Sequence, residues 1–124
     1  MTIHPIDALT LWNRVMLRSM RELPQDLSTR QMAIMLTVYL VPPPHTVRSL
    51  ADHLGISKPA ICRALDALSA MDLIRRKKDE DDRRNVFIQR TINGSVFLRD
   101  AADIMAQEMN ASDPMPQIMQ AEVA

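Results

Sequence analysis

The run Leu50-Ala51-Asp52-His53-Leu54-Gly55-Ile56-Ser57-Lys58-Pro59-Ala60-Ile61-Cys62-Arg63-Ala64-Leu65-Asp66-Ala67-Leu68 reads as two short amphipathic helices around a glycine turn. Thr46 caps the first, in which Val47, Leu50, Ala51 and Leu54 recur at i, i+3, i+4 and i+7. Gly55 stands where a left-handed helix stop belongs. Ser57 caps the second helix, and Pro59 falls in its first turn, where a missing N–H does no harm. Ile61, Ala64, Leu65 and Leu68 make a buried stripe, leaving Lys58, Cys62, Arg63 and Asp66 on the open side. This is a helix-turn-helix pattern. Its second helix presents Ser57, Lys58, Pro59 and Ala60 at the N-terminal end, with Arg63 one turn on. Small residues allow close approach, cations meet phosphate or guanine, and a helix N-terminus attracts phosphate.

Working outward, Leu73-Ile74-Arg75-Arg76-Lys77 reads as a strand and Val86-Phe87-Ile88-Gln89-Arg90 as its partner. The polar, glycine-free loop 78–85 between them makes a projecting tip that ends in Arg83 and Arg84. Four carboxylates precede them at 79–82, and a carboxylate can hold an arginine in position for a narrow, electronegative minor groove. On the N-terminal side, Ser28 and Gln31 match a capping box that starts a helix at Thr29. The run Met32 to Val41 is apolar nearly all round, so this helix is expected to be central and buried.

The first segment, Pro5 to Leu23, predicts a helix with two apolar strips. Ile6, Leu9, Asn13, Met16, Leu17 and Met20 follow three- and four-residue spacing along one, and Leu11, Trp12 and Val15 form another. A surface helix needs one apolar face; the second suggests packing on another molecule, plausibly a second copy. A last helix is expected over 92–110, with Val96, Phe97, Ile104, Met105 and Met109 apolar. Residues 112–124 are expected to form a flexible tail.

Composition narrows the function. The 124 residues contain 15 basic and 15 acidic side chains, so the chain is not a bulk polycation. The balance hides a gradient: residues 57–90 carry nine basic and six acidic groups, and residues 91–124 carry one basic and five acidic. The longest apolar run is far short of the about 20 residues of a membrane span, and no membrane partner is expected. The two glycines exclude a glycine-rich phosphate loop. Ten methionines and 3% aromatics imply an adaptable aliphatic core. His4, His45 and His53 show no metal-ligand spacing, and no serine or cysteine sits in a nucleophile motif. No enzyme, metal or cofactor is expected. Cys62, the single cysteine, reads as a small residue at a serine-like position.

The 50–68 run, the pair Leu73-Ile74-Arg75-Arg76 and the tip Asp81-Asp82-Arg83-Arg84-Asn85-Val86 closely resemble the MarR family of bacterial winged-helix transcription regulators. The resemblance implies a mainly α fold with a small β-hairpin, a winged helix-turn-helix occupying 1–111. Helices 5–23 and 92–110 would serve dimerisation, and 28–90 would be the DNA-binding lobe with its wing at 78–85. It implies a cytoplasmic homodimer on bacterial chromosomal DNA, reading a palindromic double-stranded site. The recognition helix 57–71 would enter the major groove and the wing would lie at the minor groove. Thr46 and Arg48 match the phosphate-side start of the bracing helix. Ser57, Lys58, Pro59, Ala60 and Arg63 match the recognition helix, and Asp82, Arg83 and Arg84 match the wing. The dimer surface would use Ile6, Leu9, Leu11, Trp12, Val15, Ile104, Met105 and Met109. Members of the family usually carry a further C-terminal helix, which Pro114 and Pro116 interrupt here; this argues against a small-molecule effector. The alternative is a winged-helix module that binds protein and not DNA.

Overall fold

The helix starts in residues 27–99 are fixed by local caps. Ser28 and Gln31 bond each other's backbone in a reciprocal capping box, and Thr46 and Ser49 do the same. Ser57 accepts the Ala60 N–H. The computed structural model describes residues 2–111, so the expected tail at 112–124 lies outside the described residues. The elements run α1 (Pro5–Glu22), α2 (Thr29–Leu40), α3 (Val47–Leu54), α4 (Lys58–Ala70), β1 (Ile74–Lys78), β2 (Val86–Arg90) and α5 (Ile92–Met109). The fold class is the expected one: mainly α with a small antiparallel hairpin.

Two units are distinct. One spans residues 27–99; the other joins the N-terminal residues up to 26 with the chain from 100. In the 27–99 unit, Ile34, Met35 and Val38 of α2, Leu50 of α3, Ile61, Leu65 and Leu68 of α4, and Ile74, Ile88 and Phe97 are buried. Each such aliphatic side chain contributes about 1.5–3 kcal/mol on burial. The expected stripe of α4 is buried in full.

Three expectations need correction. First, α2 is not buried all round: Leu36, Val41 and, at 76% exposure, Leu40 are open. Only the Ile34, Met35 and Val38 side is buried, and the neighbours that α2 packs on are α3, α4 and β2. Second, β1 starts at Ile74, one residue late. The Leu73 N–H closes the end of α4 by bonding the Leu68 carbonyl at 2.9 Å, and the Asp72 N–H bonds the Ser69 carbonyl at 3.0 Å. This double closure puts Asp72 in the left-handed region at φ 57°, the place glycine usually takes. Third, Ile6 and Leu9, both expected on the dimer surface, differ in burial. Ile6 is buried, but Leu9, Met16, Leu17 and Met20 are exposed.

The base of the hairpin is tied to α2 by a knot of hydrogen bonds. The Tyr39 hydroxyl donates to the Leu73 carbonyl at 2.7 Å and accepts the Thr91 N–H at 2.9 Å. Thr91 Oγ1 donates to the Asp72 carbonyl at 2.7 Å and accepts the Gly94 N–H at 2.9 Å. Arg90 Nε donates to the Val38 carbonyl at 2.9 Å and its guanidinium lies over the Tyr39 ring. A Cβ on Gly94 would overlap the Tyr39 hydroxyl and the Leu73 carbonyl. A short bridge completes the hairpin's inner edge: Thr46 pairs with Phe87, and the Ile88 N–H bonds the His45 carbonyl at 2.8 Å.

In the other unit, His4 caps α1 by accepting the Ile6 N–H. Arg18 donates to Glu22 at 2.6 Å and to Glu108 and Gln107 at 3.0 Å, tying α1 to the end of α5. The exposed Trp12, Leu9, Met16, Met20, Met105 and Met109 leave this unit with an apolar surface.

The two glycines are needed for different reasons, which a denaturant titration separates. Gly55 sits at φ 68° with open space around its Cα, so Gly55→Ala should cost about 1–2 kcal/mol of backbone strain. Gly94→Ala must displace Tyr39 and break the knot. Overpacking of about 1–3 kcal/mol plus buried groups left unpaired at about 1–3 kcal/mol should make it the larger loss. A midpoint for Gly94→Ala at or above that of Gly55→Ala would refute the role given to the knot.

Candidate nucleic-acid interface

The start of α3, the start of α4 and the wing line one open cleft of about 470 Å³. Thr46, Val47 and Arg48 come from α3, Lys58 and Cys62 from α4, and Asp82, Arg84, Asn85 and Val86 from the wing. Two helix N-termini therefore border the same space, each with a partial positive charge of about half a unit. Arg48, Lys58 and Arg84 add three cations against the single carboxylate of Asp82. Such a cleft is suited to anionic oxygen, phosphate above all.

The wing tip is built without glycine. The Asp81 N–H bonds the Asp79 carboxylate at 2.9 Å, and the Arg84 N–H bonds that of Asp82 at 3.1 Å. These side-chain turns replace the backbone freedom that glycine would supply. Asp82 also holds the Arg84 guanidinium with two bonds, Nε to Oδ1 at 3.0 Å and Nη2 to Oδ2 at 3.1 Å. The Arg84 side chain is nevertheless 90% exposed. The pair thus fixes the direction of a cation without covering it. The Arg84 bonds, side-chain first and backbone second, hold the Asp82 carboxyl below its ordinary value, and the charge of Arg48 adds to this. The same pair raises the Arg84 guanidinium further above its already high value.

Of the residues singled out in the sequence, Thr46, Arg48, Lys58, Asp82 and Arg84 meet in the cleft. Ser57 is the α4 cap, Pro59 lies exposed in the first turn, and Arg63 and Arg83 are exposed outside the cleft lining. Ala60 departs from expectation: it is buried at 7% exposure. Its methyl belongs to the packed side of α4, so it offers no contact surface. Sequence reasoning also missed that Asp66, on the open side of α4, is bound by Arg76 of β1 at 2.6 Å. The signal was weak, because a ten-residue separation across a turn has no helical or strand period. Cys62 is exposed at the cleft.

Titration should report the wing pair. A carboxylate whose value is depressed by folding contributes stability above its unfolded value and loses it as pH falls through the folded one. The Asp82 carboxyl carbon, followed by NMR, should titrate below an ordinary aspartate. Arg84→Ala should move it upward, since the first cause is then removed. An unmoved midpoint would mean that the two side chains are not paired in solution.

Comparison with known proteins agrees with this fold. A model of the MarR family matches residues 25–85. Among solved structures, a mutant of MepR from S. aureus bound to an oligodeoxyribonucleotide is 18% identical, with a TM-score of 0.72 over 93% of this chain and 84% of that one. The YusO protein from Bacillus subtilis is 17% identical, with a TM-score of 0.71 over 93% of this chain and 81% of that one. The transcriptional repressor CouR, bound to a 23-mer DNA duplex, is 25% identical, with a TM-score of 0.68 over 82% of this chain and 68% of that one.

Proposed function

On the MarR-family match over residues 25–85, we propose that this chain is a MarR-family regulator that binds double-stranded DNA sequence-specifically and controls transcription. The observation that carries this reading is the cleft in which Arg48, Lys58 and Arg84 border two helix N-termini. In this reading α4 enters the major groove. Lys58 and Arg63 reach base edges or phosphates, and Ser57 and Pro59 set the close approach. Thr46 and Arg48 meet the phosphates at the start of α3. Arg84, aimed by Asp82 and accompanied by Arg83, enters the minor groove. Related proteins solved on DNA support the reading without fixing the sequence bound.

The protein is proposed to act as a homodimer on a palindromic site, in the bacterial cytoplasm on chromosomal DNA. The support is the exposed apolar surface of α1 and the end of α5. Ile6 and Ile104 are buried within the chain itself. A second copy is therefore left Leu9, Trp12, Met105 and Met109, with Leu11 and Val15 half-buried beside them. The reading assigns no catalytic step, and no helix among the described residues is long and apolar enough to cross a membrane. It also requires no small-molecule effector.

Selection from a random duplex library should return a palindromic sequence. On that duplex, Arg63→Ala and Arg84→Ala should each weaken binding and lower the salt slope by about one unit per subunit. Both side chains are exposed, so stability should change by no more than about 0.5 kcal/mol. Unchanged affinity in both variants would move the function to a protein-binding winged helix.

Light scattering should give twice the 14.1 kDa chain mass at micromolar concentration. Trp12→Arg combined with Met109→Arg should shift the protein toward the single-chain mass. A wild-type monomer would remove the dimer from this reading.

A further inference from the structure

The hairpin has two faces, and only one of them packs on the recognition helix. In a strand, side chains alternate between faces. Ile74 is buried and Arg76 bonds Asp66 of α4, so the face carrying residues 74, 76 and 78 is the α4 side. Arg75 and Lys77 therefore lie on the opposite face. Their cross-strand partners are Gln89 and Phe87, neither of which can neutralise them. Among the described residues, Arg75 and Lys77 form no ion pair and no side-chain hydrogen bond, whereas Arg76, Arg84 and Arg90 all have partners. Both are exposed. Two adjacent cations on one face repel each other, and no ion pair among the described residues offsets it.

We propose that the outer face of the wing, Arg75 with Lys77, is a second phosphate-binding surface that tracks duplex DNA beyond the palindrome. This rests on the DNA-binding reading above. Residues i and i+2 of a strand are about 6.8 Å apart, which matches the rise of about two phosphates along one DNA strand. The same strands carry Arg84 at their tip, so a duplex met by the tip continues past the hairpin on the side away from α4. The protein's footprint is then longer than the sequence it reads, and the added contacts are indifferent to base identity.

The test uses the full chain and the duplex returned by the selection described above. Binding is compared on the shortest duplex that holds the palindrome and on one extended by about ten base pairs, one helical turn, on each side. The extension should tighten wild-type binding and steepen the salt slope by about 2–4 units for two wings. Arg75→Gln with Lys77→Gln should abolish that gain while leaving the short duplex bound within about twofold. The charge-keeping exchange Arg75→Lys with Lys77→Arg should restore it. No gain from extension would overturn the proposal, as would equal losses on both duplexes. So would a double variant that keeps the gain and merely self-associates, because the two cations would then only guard the open edge of β1. If the library returns no bound sequence, the regulator reading itself fails, and this proposal with it.

Discussion

The hydroxyl of Tyr39 is the point on which the 27–99 unit turns. It accepts the backbone N–H of Thr91, where β2 passes into α5, and donates to the carbonyl of Leu73, just before β1. One side-chain oxygen on α2 thus closes both ends of the hairpin. Thr91 extends the closure to Asp72 and Gly94. The consequence is mechanical. The wing cannot swing at its base without leaving buried backbone groups unpaired, at a cost of about 1–3 kcal/mol each. The Arg76–Asp66 pair then adds a second tie, from the middle of β1 to the exposed side of α4. The base of the wing is thereby held to α2 and the middle of β1 to α4.

Charge in this protein is organised by place, not by amount. The chain is neutral as a whole, and a global count would argue against a polyanionic partner. Yet a duplex samples only charges within about a Debye length, about 8–10 Å. Within the cleft, three cations face one carboxylate, and that carboxylate is already committed to Arg84. All five acidic residues of the segment 91–124 stand at position 100 or later in the sequence, beyond residues 27–99. Neutrality of the whole limits non-specific adhesion, while local potential still favours phosphate.

What the sequence discloses follows the range of the interaction. Caps at Ser28, Thr46 and Ser57 act over three residues, and they were legible because the side chain and the N–H it bonds are near neighbours in the chain. The α4 stripe was legible because helical period maps directly onto burial. Gly55 was legible as a helix stop. Gly94 carries no comparable local sign, because the reason for it, Tyr39, lies 55 positions earlier. The exposed side of α2 was misjudged for a related reason. An all-round apolar run states that a helix avoids water, but the number of neighbours that cover it is a property of the assembled molecule. Ala60 was misplaced because a small residue at a helix start suits both close approach to a ligand and close packing on a core. Only the phase of the helix, fixed by Ile61 and Ala64 beside it, separates the two.

The wing tip shows how acidic residues can build a surface that is proposed to meet an anion. Four carboxylates in a row at 79–82 oppose phosphate by sign, and a charge count would place them elsewhere. Their geometry assigns them different work. Asp79 and Asp82 accept the N–H groups two residues on, closing turns that elsewhere need glycine. Glycine would have given the tip conformational freedom to be lost on binding; aspartate makes the same turn already ordered. Asp82 then uses its remaining acceptor capacity to aim Arg84, whose side chain stays almost fully exposed. A free arginine carries about 2 kcal/mol of rotamer entropy, and a planar fork held in advance loses less of it per bond formed. The tip thus gives up net charge and gains order, and the minor-groove role proposed for Arg84 would draw on that order more than on charge.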